Sequence, residues 1–155
     1  MKSRPVKKPL ILLVDNFTRA KPFICEIPAV AEKLIKKYWP GPLTLIFKTT
    51  VLGTMVTRGK TTIGIRVPEH KLLLDIIKHC GVPIASTSAN VSGQGDVVRV
   101  KEIPAKIKAA ADLIIDAGQT KHTASSSVLD LSHYPYTLVR PGVVTKAELA
   151  KILVR

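Results

Sequence analysis

The fold is decided by residues 61–86, TTIGIRVPEHKLLLDIIKHCGVPIAS, which contain a strand, a helix and a second strand in succession. Thr61–Val67 is rich in β-branched side chains and predicts the first strand. Glu69–Cys80 places apolar residues at helical spacing, and Gly81 follows as the expected C-terminal stop of that helix. Pro83–Ser86 predicts the second strand. Strands that alternate with helices in this way indicate an α/β fold.

The same alternation extends to both sides of this stretch. Pro9–Asp15 is a continuous apolar run that predicts a strand covered on both faces, and Pro28 begins a helical pattern that Pro40-Gly41-Pro42 ends. The other predicted elements are strands at Leu43–Phe47, Asp112–Asp116, Ser127–Leu131 and Thr137–Arg140, a basic helix near Ala105–Ala111, and a final helix begun by the capping box Thr145–Glu148. We expect one α/β (α+β) domain over residues 1–155, built on a twisted, open, mixed sheet.

The charge balance indicates an anionic partner. The chain of 155 residues has 24 Lys and Arg against 11 Asp and Glu, which gives a net charge of +13. A field of this size attracts polyanions, so nucleic acid or a phosphorylated small molecule is the first expectation. A basic protein that is merely soluble is the alternative, which charge alone does not exclude.

The cysteines and the apolar runs indicate a cytoplasmic protein without an anchor. Cys25 and Cys80 have neither the paired spacing nor the nearby histidines of a zinc site, which favours a reduced protein without a bound metal. The longest apolar run near the start, Leu10–Val14, is too short for a signal peptide or a membrane span. We therefore expect no membrane association.

Two polar segments are candidates for phosphate binding. Lys2 and Arg4 have the spacing to hold two oxygens of a phosphate chain, although these residues alone favour a solvated basic tail. Ser86–Gly93 runs from a buried strand into a loop of hydroxyl and amide side chains, which suits a phosphate or a base edge. Ordinary turn chemistry is the alternative for this loop.

Two arginines stand within or at the end of predicted strands. Arg66 lies between Ile65 and Val67, so it faces either a cleft that holds a carboxylate or phosphate, or simply the outer side of the strand. Arg140 ends a strand and is placed to reach a phosphate, and Ser125–Ser127 belongs either to a turn or to a site. The chain contains neither a P-loop nor a G-x-G-x-x-G motif.

Six motifs in order carry a resemblance to a known family. They are K-x-R-P at Lys2–Pro5, W-P-G-P-x-T at Trp39–Thr44, T-x-G-x-R-V-P at Thr62–Pro68, S-T-S-A-N-x-S-G at Ser86–Gly93, a variant of S-T-V-x-D at Ser126–Asp130, and R-P-G at Arg140–Gly142. Together they resemble the YrdC/Sua5/YciO family over essentially the whole chain. The resemblance implies the YrdC/RibB-like sheet and a positively charged cavity.

The resemblance also implies an activity and a set of site residues. Family members are threonylcarbamoyl-AMP synthases, nucleotidyltransferases that use L-threonine, bicarbonate and ATP for the threonylcarbamoyladenosine modification of tRNA. On this basis, ATP with its Mg²⁺ is expected to contact Lys2, Arg4, Thr62, Ser88, Asn90 and Arg140. L-threonine is expected to contact Arg66, Ser86 and Ser126. No catalytic nucleophile is implied, because a carbamate oxygen attacks the α-phosphate directly.

The chain departs from the family pattern at its start. Family members carry a P-T-E-T-x-Y-G segment before the K-x-R motif, whereas Met1 directly precedes that motif here, and many have a His where this chain has Leu13. We expect a truncated member that binds ATP weakly, forms little product, and pairs into a homodimer through an exposed sheet edge. A non-catalytic module of the same fold that binds double-stranded RNA, tRNA or a nucleotide is the alternative function.

Overall fold

The structure, a computed structural model, describes residues 10–90, 97–120 and 124–153. Its strands are β1 Ile11–Leu13, β2 Leu43–Lys48, β3 Thr62–Arg66, β4 Ile84–Ser86, β5 Ser127–Asp130 and β6 Thr137–Arg140. They form a six-stranded sheet in the order β4-β1-β3-β2-β5-β6. The pairs β1–β3 and β2–β5 are parallel, and the other three pairs are antiparallel. The predicted α/β fold with a mixed sheet is therefore confirmed.

The helices follow the predicted pattern, with additions. They are α1 Ala29–Tyr38, α2 Val51–Val56, α3 Lys71–Cys80, α4 Ala105–Ala109 and α5 Lys146–Leu153, with 3₁₀ helices at Thr18–Phe23 and Val100–Glu102. Gly81 ends α3 with a φ of 72°, as expected of a left-handed C-terminal residue. The capping box of α5 is present, because the Glu148 carboxylate accepts the Thr145 N–H at 2.8 Å and the Thr145 hydroxyl accepts the Glu148 N–H at 3.2 Å.

The helix α2 and both 3₁₀ helices were not predicted from the sequence. Helix α2 has too few residues to show a helical repeat, and Thr50 caps it by accepting the Gly53 N–H at 3.1 Å. Among the described residues, no helix has the length and apolar character that crossing a bilayer requires.

The predicted strand at Asp112–Asp116 is wrong. None of the six strands in the described ranges pairs with these residues, and Leu113, Ile114 and Ile115 are 75%, 45% and 52% exposed. The preference of β-branched residues for strands reflects their fit to a half-buried pleated surface. Since no neighbouring strand provides that surface here, the apolar run stays irregular.

The two faces of the sheet have different surroundings. Side chains of Leu12, Leu45 and Ile65 belong to the main buried core, together with Leu34 of α1 and Leu149 of α5. We call this side the core face. Because side chains alternate along a strand, the residues between them point to the opposite side. That side, which we call the cavity face, carries Leu13 of β1, Thr44 of β2 and Arg66 of β3, and Leu13 is paired in register with Arg66.

Candidate functional site

A cavity of about 510 Å³ lies over the cavity face. The cavity is enclosed by the sheet, by the loop after β4 and by both ends of segment 97–120. Six of the predicted site residues line this cavity: Arg66, Ser86, Ser88, Asn90, Ser126 and Arg140. Residues that are up to 74 positions apart in the chain, from 66 to 140, are thus brought to one site.

Of the three other predicted residues, Thr62 does not line the cavity that the described residues form, and two lie outside the described part of the chain. Thr62 lies at the opposite end of β3 from Arg66, and a rise of about 3.3 Å per residue puts their Cα atoms about 13 Å apart. Lys2 and Arg4 lie outside the described residues, as do residues 91–93 of the predicted phosphate loop.

Arg66 is held by the turn that follows α1. Its Nε donates to the carbonyl of Gly41 at 2.8 Å, and the Gly41 N–H donates to the Val67 carbonyl at 2.9 Å. Burial and, to a smaller extent, the nearby charge of Arg140 lower the pKa of Arg66. Within the described part of the chain Arg66 forms no salt bridge, and its terminal amino groups make no hydrogen bond. Such a guanidinium is suited to an anionic ligand.

Arg140 and Ser126 form a fixed polar cluster beside Arg66. The Nε and Nη2 atoms of Arg140 donate to the Ser126 carbonyl at 3.0 and 2.7 Å, and Nη2 also donates to the Ser126 hydroxyl at 3.0 Å. That hydroxyl lies 3.0 Å from the hydroxyl of Thr44, and both side chains are buried. The cluster therefore joins β2, β5 and β6 at one edge of the cavity.

The loop after β4 supplies hydroxyl and amide groups. Ser86 pairs in register with Ile11 of β1, which brings it to the cavity face. Ser88 is exposed at the cavity, whereas Asn90 is 9% exposed. This part of the predicted loop therefore offers one exposed hydroxyl group and one nearly buried amide group.

His70 and Trp39 have structural roles. The His70 Nδ1 accepts the Leu73 N–H at 3.3 Å and caps α3. The Trp39 indole donates to the Leu43 carbonyl at 2.6 Å and packs edge-on against Phe17, with ring centroids 5.9 Å apart. Among the described residues, no group of three His, Cys, Asp or Glu side chains is arranged to hold a metal ion.

Sequence reasoning missed Thr44, Arg99 and Gln119, which also line the cavity. Arg99 stands between Val98 and Val100, so the flanking by apolar residues that singled out Arg66 also marks Arg99. The described lining contains three arginines, Arg66, Arg99 and Arg140, and one acidic residue, Glu69. The cavity is therefore positively charged, as expected for an anion-binding site.

Solved structures with the same architecture include two informative relatives. A crystal structure of Pyrococcus abyssi Sua5 complexed with L-threonine matches with a TM-score of 0.89 and 35% identity, covering 97% of this chain and 45% of that one. The crystal structure of Escherichia coli YciO matches with a TM-score of 0.80 and 26% identity, covering 92% of this chain and 69% of that one.

Curated relatives agree with the structural matches. The threonylcarbamoyl-AMP synthase of Pyrococcus abyssi is 36% identical over 98% of this chain and 45% of its own length. That of Bacillus subtilis is 34% identical over 98% of this chain and 44% of its own length. The chain thus spans less than half the length of these two relatives. A putative threonylcarbamoyl-AMP synthase of Methanocaldococcus jannaschii is 30% identical over 97% of this chain and 70% of its own length.

A sequence model of one protein family, which carries the description "Telomere recombination", matches residues 1–142. This range includes all six motifs and every predicted site residue, from Lys2 to Arg140. Because the match covers most of the chain and agrees with the relatives and with the fold, the chain belongs to the Sua5/YciO/YrdC family.

Proposed function

We propose that the cavity binds L-threonine and ATP and takes part in forming threonylcarbamoyl-AMP from them and bicarbonate. The observation that carries this proposal is the half-buried guanidinium of Arg66, held by Gly41 and without a carboxylate partner in the described residues. Further support comes from relatives that are named threonylcarbamoyl-AMP synthases and from the Sua5 relative that was crystallised with L-threonine.

Arg66 binds the carboxylate of threonine in this proposal. Its terminal amino groups form a planar fork that matches two carboxylate oxygens. Ser86 and Ser126 line the same cavity and present hydroxyl groups to the rest of the amino acid. Because Thr44 and Arg140 fix the Ser126 side chain, it is oriented before the ligand arrives.

The triphosphate of ATP binds beside threonine. Arg140 supplies positive charge, and Ser88 and Asn90 supply hydrogen-bond groups to phosphate oxygens. Lys2 and Arg4 stay predicted phosphate ligands, and Thr62 stays a predicted contact although it lies outside the cavity. In this proposal Mg²⁺ comes with the bound nucleotide.

The reaction needs positioning and charge neutralisation from the protein. The threonine amine and bicarbonate form a carbamate and release water. One carbamate oxygen then forms a bond to the α-phosphorus while the bond to the β-phosphate oxygen breaks, and pyrophosphate leaves with the electron pair. Arg66 holds the carboxylate so that the amine end faces the nucleotide, and Arg140 offsets the negative charge of the phosphates.

The first prediction tests ligand binding by calorimetry. The chain should bind ATP, and it should bind L-threonine but not L-threoninol, which lacks the carboxylate. Equal affinity for the two amino-acid ligands would contradict the role of Arg66. Pyrophosphate release from ATP with bicarbonate, measured with and without threonine, tests the reaction. We expect a small threonine-dependent release, and release that is independent of threonine would contradict the proposal.

RNA is the second candidate ligand, favoured by the net charge of +13. We expect the chain to bind tRNA or duplex RNA in the micromolar range with little sequence preference. Since the binding would release counterions from phosphates, the affinity should fall steeply between low and moderate salt. Titrations at two salt concentrations measure this, and affinity that does not depend on salt would refute it.

The homodimer also stays a prediction, for which sedimentation is the measurement.

A further inference from the structure

The hydroxyl groups of Thr44 and Ser126 share a hydrogen bond whose direction is set by their surroundings. Their oxygen atoms lie 3.0 Å apart, and either hydroxyl group is chemically able to donate. Thr44 is fully buried, and Ser126 is the only partner of its side chain in the described part of the chain. If Thr44 did not donate, its proton would be buried without an acceptor, which is costly in free energy. Thr44 is therefore the donor and Ser126 the acceptor.

The Ser126 oxygen then has no lone pair left for a ligand. A hydroxyl group has one proton to donate and two lone pairs that accept. One lone pair accepts the Thr44 proton, and the other accepts the Nη2 group of Arg140 at 3.0 Å. Ser126 lines the cavity although it is only 7% exposed. Since its proton meets no acceptor among the described residues, Ser126 can only donate to a molecule in the cavity.

Ser126 lies between the two arginines that hold the ends of the ligand in the proposed function. The antiparallel register of β2 and β3 places Thr44 beside Arg66 on the cavity face. Thr44 contacts Ser126, and Ser126 in turn contacts Arg140. A molecule with its carboxylate at Arg66 and its phosphates at Arg140 therefore passes Ser126 with the atoms that join the two ends.

Those joining atoms change from hydrogen-bond donors to acceptors during the proposed reaction. Free threonine has an ammonium group there, which is positively charged and only donates. This group and bicarbonate give a carbamate anion, one water molecule and one proton that passes to solvent. The carbamate oxygens only accept hydrogen bonds. A hydroxyl group that can only donate matches the carbamate and has no lone pair for the ammonium group.

We propose that Ser126 donates to the carbamate, and that Thr44 is the positioning residue that sets the direction of this hydrogen bond. The site thereby favours the carboxylated amino acid over free threonine before the α-phosphate is attacked. The charges agree with this preference, because the described cavity lining contains three arginines and one acidic residue, Glu69. This inference rests on the proposed function, since it takes threonine and bicarbonate as substrates.

Calorimetry with two ligands tests the contact of Ser126. N-carbamoyl-L-threonine is a stable substitute for the carbamate and has a carbonyl oxygen that accepts a hydrogen bond, whereas L-threonine has the ammonium group. The unaltered chain should bind N-carbamoyl-L-threonine more tightly. Ser126→Ala should weaken the binding of N-carbamoyl-L-threonine about tenfold more than that of L-threonine, as expected for the loss of one hydrogen bond.

Two variants of Thr44 test its positioning role. Valine has nearly the shape of threonine but no hydroxyl group, so Thr44→Val frees one lone pair of Ser126 for the ammonium group of L-threonine. The ratio of the two affinities should then shift about tenfold toward L-threonine. Thr44→Ser retains the donor and should retain the ratio of the unaltered chain. General loosening of the site would weaken both ligands together and would leave the ratio constant.

The contrary results are distinct from one another. Equal losses of both ligands in Ser126→Ala would place Ser126 against the carboxylate that they share, and would overturn the inference. A constant ratio in Thr44→Val would overturn the role of Thr44. If the unaltered chain binds L-threonine through Arg66 but does not prefer N-carbamoyl-L-threonine, this inference alone fails. Absence of binding of both ligands would overturn the threonine half of the proposed function as well.

A double variant separates the loss of this contact from damage to the fold. Ser126→Ala alone leaves the buried Thr44 hydroxyl without a partner, which lowers stability. Thr44→Val combined with Ser126→Ala removes both hydroxyl groups and avoids this cost. The double variant should show the same selective loss of N-carbamoyl-L-threonine, and a selective loss confined to the single variant would overturn the inference. Melting temperatures without ligand show that each variant retains its fold.

Discussion

Replacing Arg66 by Gln is expected to weaken L-threonine binding about 100-fold, as measured by calorimetry. The threonine carboxylate would remain beside this half-buried position without its partner. Truncating one member of a buried hydrogen-bonded charge pair costs about 2–5 kcal/mol, and a 100-fold loss corresponds to the lower part of that range. Arg66→Lys should also lose most of the affinity, because an ammonium group does not offer the planar fork. ATP should still bind, since the proposed phosphate contacts come from other residues.

The fold should survive this substitution. Burial and the nearby charge of Arg140 both lower the pKa of Arg66, which means that the charged form is disfavoured in the folded chain without ligand. The melting temperature of Arg66→Gln without ligand should therefore be equal to or higher than that of the unaltered chain, as expected when a binding site is maintained at the expense of stability.

A matched control and a ligand series make this result specific. Arg58→Gln removes the same charge from a residue that does not line the cavity, and should leave threonine affinity unchanged. In the unaltered chain, replacing L-threonine by L-threoninol should cost as much as the Arg66→Gln substitution. In Arg66→Gln, the same ligand change should cost nothing further. Additive losses would place the threonine carboxylate away from Arg66.

The sequence left two interpretations of Arg66 open, and the structure shows why. Alternation with Ile65 and Val67 establishes that Arg66 points away from the core face, but a strand pattern does not reveal what covers its other side. Here that side meets a loop after β4 and a segment near residue 100, both brought in by long-range packing. Gly41, which holds the guanidinium, is also 25 residues away in the chain.

The sequence predicted correctly those features that depend only on residues close together in the chain. The end of α3 at Gly81 and the capping box of α5 depend on neighbours within four residues, and both were predicted. The run at Asp112–Asp116 has the composition of a strand, yet strand formation depends on a partner that the local sequence does not contain. Arg99 was missed for the same reason. It lines the cavity next to Gln119, which is 20 residues away in the chain, and the local sequence does not show that contact.

Gly142→Ala is expected to have the largest effect on stability. A Cβ atom at this position would meet the carbonyl oxygen of Ser125, the amide nitrogen of Ser127 at 2.6 Å and the carbonyl carbon of Ser126 at 2.7 Å. All three are backbone atoms, so no side chain can turn aside to make room. The glycine of the R-P-G motif is therefore explained by close contact with the start of β5.

The surrounding hydrogen bonds oppose any adjustment. The Ser127 N–H donates to the Pro42 carbonyl at 3.0 Å, and the Ser126 carbonyl accepts from Arg140 at 2.7 Å. Moving this backbone to admit a methyl group would weaken both bonds, and would shift the hydroxyl of Ser126 in the proposed threonine site. We expect destabilisation at the upper end of the overpacking range, about 3 kcal/mol, together with loss of threonine affinity.

Gly81→Ala provides the comparison for Gly142→Ala. Gly81 has a φ of 72° with no atom near its added Cβ, so its replacement costs only the left-handed backbone conformation, about 1 kcal/mol. For a chain of this size, about 1 kcal/mol lowers the melting temperature by roughly 2–4 °C, so Gly142→Ala should melt roughly 6–12 °C below the unaltered chain. Thermal unfolding followed by circular dichroism measures both. Equal melting temperatures for the two variants would show that the backbone at Ser125–Ser127 yields easily, and that the contact with Gly142 does not fix the position of Ser126.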